Sequence, residues 1–402
     1  MGVIRQAASL LRTHAAKLVL TAFLALPMVA AVLWPVDATI EQRELAPAPK
    51  KPHSLEEVLA WPAQAEAWTN DHFGWRPQMV TSFSRLRFEL FHRFPTQQVM
   101  AGREGRLFLV SHNDRGERYT LLVACGWQFD RFERVLADLN RFEQTVRQQG
   151  IPAKLLVVPS GPVVYSEELQ PWAAERCRPE NVPMARLLAS PRLRPEARAL
   201  IYHPLAEMRA QRERIMFFPK NYFHWAGAGA AAVAGMTERQ FWGRDEAFAP
   251  PIPMVAKEQP SEIRFMFPGI NPVSMVQDQD YAGTTITPCY GAPCFPEIQP
   301  VMEKLGVVGR YLNSAPKLGP RLVVLTDSFG YSGGPVFSRY HREVVFVSTN
   351  MLVRLDEKER EQLRKLLFVP GSDDEVLFLY HDATVLANRI ETDLGMLFPA
   401  KQ

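Results

Sequence analysis

A chain of 402 residues with an ordinary apolar fraction is long enough for one large domain with an insertion, or for two domains. Its 46 Lys and Arg nearly balance its 43 Asp and Glu, so the basic stripe that a phosphate backbone needs is missing, which argues against nucleic acid as a partner. The first distinctive element is "LVLTAFLALPMVAAVLW", Leu18 to Trp34, uncharged and at the short end of what spans a bilayer. Arg5, Arg12 and Lys17 precede it, and Asp37, Glu41 and Glu44 follow it. That asymmetry predicts a tail at 1–17 on the cytoplasmic side, an anchor at 18–34 and the bulk of the chain exported. The other reading is a cleaved signal peptide, with "VDA" at Val36 to Ala38 as the cleavage site.

Residues 35–53, rich in proline and charge, read as an extended linker before a folded domain over 54–402. Ser54 with Glu57 is a capping-box pattern, and the stretch after it reads as broken helix ending near Gly74. Phe129, Phe132, Leu136, Leu139, Phe142 and Val146 recur at helical spacing and predict a helix up to Gln149, stopped by Gly150 and Pro152. Apolar blocks then alternate with helical stretches. They are "KLLVVPS" from Lys154, "ALIYHPL" from Ala199, "IMFFPKNYFHW" from Ile215, "RLVVLTDS" from Arg321, "EVVFVSTN" from Glu343 and "EVLFLYHD" from Glu375. This alternation predicts an α/β fold with a mostly parallel sheet covered by helices. Residues 250–300, with many prolines, read as a β-rich insertion.

Export makes disulfides the expected state of the four cysteines. Cys289 and Cys294 flank a turn-like "YGAP", and Cys125 with Cys177 would form the second bridge. Only one close pair exists, too few for a zinc site, and no cofactor motif stands out.

Function concentrates where the strands end. Ser160-Gly161, His224, Asp327-Ser328, Ser348-Thr349-Asn350 and His381-Asp382 all fall at the tips of apolar blocks, and in a parallel sheet those tips share the ligand-binding edge. A serine there is a nucleophile once a base takes its proton, and His224 is the candidate base for Ser328. Singly, the serine reads first as a helix N-cap and the histidine as a satisfied, partly buried ring beside Trp225; on a common sheet edge the two together point as readily to catalysis.

In order, "EQRELAP", "NDHFGWR", "GREGRLFLV", "LLVVPSGPVVYSEELQP", "FHWAGAGA" and "VLTDSFG" resemble the SGNH-hydrolase-like proteins of alginate O-acetylation. The resemblance covers the chain from about Glu41 onward. It implies an SGNH-hydrolase-like, flavodoxin-like sheet in a periplasmic protein held at the inner membrane. It also implies a polysaccharide as the acceptor and a membrane-bound O-acyltransferase as the source of acetyl groups. Carried over by motif, Ser328 is the acyl-accepting nucleophile and His224 its base. The family's acid two residues before the histidine is replaced here by Tyr222. Asp382 is a possible substitute, or a cap for the following helix, and Asn221 or Tyr222 could orient the imidazole by a neutral hydrogen bond. The Ser328 N–H is the first candidate oxyanion donor, with Ser160-Gly161 and Asn350 behind it. Asp71 and Arg76 read as fixing a turn. The same machinery would serve an acetylesterase, while Tyr222 leaves open a weak or inactive relative that binds glycan or acts as a scaffold.

Overall fold

The computed structural model describes residues 45–112, 116–245 and 247–398, together with helical positions scattered through 14–33. Among the described residues no helix is long and apolar enough to cross a membrane. The anchor expected at Leu18 to Trp34 lies partly outside the described residues, as do the tail and much of the linker. Where a single folded domain over 54–402 is expected, contacts divide the chain into two units, 1–95 with 260–272, and 96–259 with 273–402.

In the first unit, α1 (Leu55–His72) and α2 (Arg76–Phe91) are the long elements. The Ser54 side chain accepts from the Glu57 N–H, as the capping pattern predicts, but α1 continues through Pro62 rather than breaking. Asp71 accepts from the Ala46 N–H at 2.8 Å, and the His72 ring stacks on Trp68. Phe94 packs on Phe267, which follows a short helix at Ile263–Met266.

The second unit holds the sheet. A small hairpin, β1 (Val99–Ala101) with β2 (Leu107–Leu109), precedes α3 (Phe132–Gln148). Val135, Leu136, Leu139, Phe142 and Val146 are its buried stripe, as the periodicity requires. The main sheet comprises β3 (Ala153–Val158), β4 (Ile201–Tyr202), β7 (Ile286–Tyr290), β8 (Val308–Asn313), β9 (Gly319–Thr326), β10 (His341–Ser348) and β11 (Glu375–His381). Their order is β4-β3-β11-β9-β10-β8-β7. The first five run parallel, and β8 and β7 extend the sheet antiparallel. The aliphatic block Leu322–Leu325 forms the middle of β9, with strands on both sides and every side chain buried. Helix α4 (Gly227–Trp242) follows the His224 segment, and α5 (Gly330–Val336) follows Ser328. After β10 comes α6 (Glu357–Leu367), and after β11 come α7 (Asp382–Leu386) and α8 (Arg389–Leu397).

Two expectations change. The "IMFFPKNYFHW" block is not a strand but an irregular loop, because Pro219 removes a ladder donor and Phe217 and Phe218 are both buried instead of alternating. The 250–300 segment is only partly an insertion. Within it β5 (Met254–Pro260) and β6 (Val273–Gln279) pair as a separate two-stranded sheet, but β7 belongs to the main sheet. Both disulfides form as expected, Cys125–Cys177 across 52 residues and Cys289–Cys294 across 5.

Candidate active site

The turn that carries Ser328 is built by the residue before it. Asp327 is 3% exposed, and its Oδ1 accepts the Phe329 N–H at 2.9 Å, closing a tight local turn. Its Oδ2 accepts from the His381 N–H at 3.0 Å and from His381 Nδ1 at 2.6 Å, which ties the tip of β9 to the tip of the adjacent β11. Burial pushes the Asp327 carboxyl up, but the imidazole and these hydrogen bonds outweigh it and hold it below the ordinary value. Asp327 is therefore a fixed anion that shapes the turn, and Ser328, the next residue, is left exposed.

His224 reaches this serine from the loop that the sequence suggested was a strand. Three anchors hold that loop. The buried Arg106 donates to the Phe218 carbonyl at 2.8 Å, the Tyr165 hydroxyl accepts from the Phe217 N–H at 3.2 Å, and the Leu107 N–H donates to the Lys220 carbonyl at 2.8 Å. Trp225, fully buried, donates its indole N–H to the Phe329 carbonyl at 2.8 Å and so fastens the residue after His224 to the residue after Ser328. A Cβ at Gly333 would lie 2.3 Å from the Trp225 ring, which explains a glycine inside α5. The outcome is a His224 Nε2 to Ser328 Oγ distance of 2.8 Å. The Phe329 ring meets the His224 ring on its edge and stacks on His381 at 4.9 Å.

Both residues line a cavity of about 450 Å³ at the ends of the strands, with Asn350, His381 and Arg389 also in its wall. Leu107, Phe108, Leu121 and Phe329 make much of the rest apolar, the usual composition of a small-molecule site. The Ser328 N–H has no acceptor among the described residues, and the exposed Asn350 lines the same cavity. Together they are the donors available to a developing oxyanion. Arg389 is held by Asp393 at 2.7 Å and by the Thr349 carbonyl at 2.6 Å, which sets a fixed positive charge in the wall. His112 also lines the cavity, and burial, reinforced by the field of His381, lowers its imidazole below the ordinary value.

The three residues proposed to aid His224 each make hydrogen bonds to other partners. Asp382, fully buried at the start of α7, accepts from the Ser160 N–H at 3.1 Å, from the Ser160 hydroxyl at 3.3 Å and from the Ala383 N–H at 2.8 Å. Burial raises its carboxyl, and the Asp382 side chain fastens the tip of β3 to that of β11 in place of the role of triad acid. The cap position of α7 belongs to His381, one residue earlier than expected. The Tyr222 hydroxyl donates to Gln259 at 3.2 Å, and the Asn221 amide donates to the Val273 carbonyl at 3.2 Å. Ser160 and Gly161 line the cavity, but the Ser160 N–H is already taken by Asp382.

The Asp327–His381 pair and Arg389 escaped the sequence reading. Asp327 and His381 each follow the last apolar residues of their strand. That they meet depends on β9 and β11 being neighbours, which the strand order supplies and the sequence does not. Arg389 lies eight residues past the end of its strand, with no local signal.

No protein-family model matches the chain, and no curated protein does. Among solved structures it is similar to Bacillus cereus PatB1, at 14% identity and a TM-score of 0.44, over 71% of this chain and 96% of that one. It is similar to Pseudomonas aeruginosa AlgX at 12% identity and a TM-score of 0.41, over 74% and 66% of the two chains. The O-acetyltransferase domain of Pseudomonas putida AlgJ gives 13% identity and a TM-score of 0.41, over 74% and 98%. Likeness at these scores carries no argument, and the functional reading stands on the geometry of the site.

Proposed function

We propose that this protein transfers acyl groups, acetyl in the first instance, to hydroxyls of a polysaccharide through Ser328 and His224. The observation that carries the reading is the 2.8 Å contact between Ser328 Oγ and His224 Nε2 in the wall of a strand-end cavity. In the first half-reaction Ser328 Oγ attacks the acyl carbonyl carbon while His224 Nε2 takes the hydroxyl proton. The tetrahedral oxyanion is met by the Ser328 N–H and the Asn350 amide. It collapses as His224 returns the proton to the leaving oxygen, and the acyl group stays on Ser328. In the second half-reaction His224 takes the proton of an acceptor hydroxyl, whose oxygen attacks the acyl-serine. Collapse then frees Ser328 with its proton restored. Water in place of a sugar hydroxyl makes the same site an acetylesterase.

The resemblance of the motifs supplies the setting of this proposal: an inner-membrane anchor at Leu18 to Trp34, a periplasmic body and a membrane-bound O-acyltransferase donor. The charge asymmetry around that run and the two disulfides support an exported body. A reporter enzyme fused at Gln402 is expected to be active in the periplasm alone.

The test of the chemistry is hydrolysis of nitrophenyl acetate by the purified protein. Ser328→Ala and His224→Ala are each expected to lower kcat/KM by about a thousandfold or more, and about equally, since the two groups act as a unit. Turnover that survives either change removes the pair from the mechanism. Adding an oligosaccharide separates transfer from hydrolysis: an acetylated sugar identifies a transferase, and acetate alone an esterase.

A further inference from the structure

Two imidazoles in the cavity wall lie against the Phe329 ring. His224 meets it edge-on at 5.1 Å, and His381, the last residue of β11, stacks on its face at 4.9 Å with the planes 9° apart, so the two imidazoles stand no farther apart than the sum of those distances, about 10 Å. His381 is held firmly. Its Nδ1 donates to Asp327 Oδ2 at 2.6 Å, with the Thr384 hydroxyl beside it at 2.7 Å, and its backbone N–H donates to the same carboxylate oxygen at 3.0 Å. A neutral ring whose Nδ1 gives its proton to a buried anion keeps its lone pair on Nε2. Among the described residues Nε2 meets only the Thr384 hydroxyl, at 3.5 Å, the outer limit of a hydrogen bond. The chemistry of Ser328 and His224 leaves this atom unused.

We infer that His381 Nε2 accepts a hydrogen bond from the hydroxyl beside the one being acylated, so that the site selects acceptors carrying vicinal hydroxyls. The reacting hydroxyl gives its proton to His224 Nε2, and its neighbour on the adjacent carbon donates a hydrogen bond to His381 Nε2. Two hydrogen bonds of about 2.8 Å, joined by adjacent oxygens, fit between rings at that separation. Asp327 and the Phe329 stack lock the His381 ring before the acceptor arrives, so the second contact orients the attacking oxygen at little entropic cost. The lone pair also decides which neighbour is recognised. Arg389, in the same wall, has only donors, and it spends some of them on Asp393 and the Thr349 carbonyl. His381 Nε2 needs an O–H, which neither an ether oxygen nor a methylene supplies.

The inference rests on the acyl-transfer reading, and its test is a ratio that failure of that reading does not mimic. The full chain is given nitrophenyl acetate with 1,2-cyclohexanediol (cis or trans), 2-methoxycyclohexanol or cyclohexanol at equal concentration, and the acetylated alcohols are measured by gas chromatography. The better diol isomer is expected to be acetylated at least tenfold faster than cyclohexanol, against the factor of about two that its second hydroxyl gives by number, and the methoxy ether is expected to react like cyclohexanol. His381→Asn keeps a side-chain N–H for Asp327 and removes Nε2, and it is expected to bring the diol-to-cyclohexanol ratio down to about two. A ratio near two in the wild type, a methoxy ether as good as the diol, or a preference that survives in active His381→Asn and so belongs to His112 or Arg389, overturns the inference. If His381→Asn is inactive, the methoxy ether decides, because it needs no variant. Ester hydrolysis with no acetylated alcohol overturns the inference and leaves an esterase, whereas no hydrolysis by the wild type refutes the acyl-transfer reading and the inference with it.

Discussion

The tips of β9 and β11 are adjacent and both end in a pair of polar residues, Asp327-Ser328 and His381-Asp382, yet they do opposite things. At β9 the first polar residue is buried and the second is exposed. The buried aspartate fills its hydrogen bonds inward, and the serine is left facing His224 in the cavity. At β11 the order reverses: His381 lines the cavity, and Asp382 is buried on Ser160 and Ala383. A polar residue at a strand end is thus available for chemistry only when its own hydrogen bonds are not already used to hold the edge together. The tip of β4 gives a third case. His203 follows that strand with its Nε2 sealed from solvent and unpartnered, and burial lowers its imidazole to about 3.

The largest effect expected from this comparison is at Asp327. Asp327→Ala leaves His381 and two backbone N–H groups without their buried acceptor and should destabilise the protein by ~3 kcal/mol, read from denaturant midpoints at constant slope. A loss within a few tenths of a kcal/mol would show that the β9 tip is not organised by this carboxylate.

His203 sharpens the comparison through pH. Its folded value is depressed relative to the unfolded chain, so the unfolded state binds the proton first. Stability from this group is complete above an unfolded value of about 6.5 and is lost as pH falls toward about 3, at no more than ~1.4 kcal/mol per pH unit. His203→Leu should flatten that slope between pH 6 and 4 by roughly one proton. An unchanged slope would mean that the imidazole protonates freely in the folded protein.

The smallest effect is expected at Asp382. Asp382→Asn keeps the shape and one acceptor oxygen for Ser160, so stability should fall by only ~1 kcal/mol, and ester turnover by less than tenfold. A drop of about ten-thousandfold with stability retained would instead make Asp382 the carboxylate behind the catalytic histidine.

The strands that position Ser328 were legible because fully buried parallel strands are continuous aliphatic runs, and Leu322–Leu325 is one. Helix α3 was legible for the complementary reason, since a half-buried helix repeats its apolar residues at 3.6. The pairing of Ser328 with His224 was suggested by motif order and is present in the geometry. The His224 segment misled because an apolar block can be a buried loop as readily as a strand. What separates them here is Arg106, 118 residues before His224, together with Tyr165 and Trp225, whose contacts no local pattern announces. Asp327 with His381, and Asp382 with Ser160, depend on which strands are neighbours, and that order is a tertiary property.

The central claim is that Ser328 is the nucleophile and His224 activates it. Inactivation with a sulfonyl fluoride, followed by peptide mapping, reads both halves of the claim at once. The account predicts a single stable sulfonyl group on Ser328, formed far more slowly in His224→Ala. An adduct on another residue, no reaction at Ser328, or labelling at the same rate without His224 would contradict it.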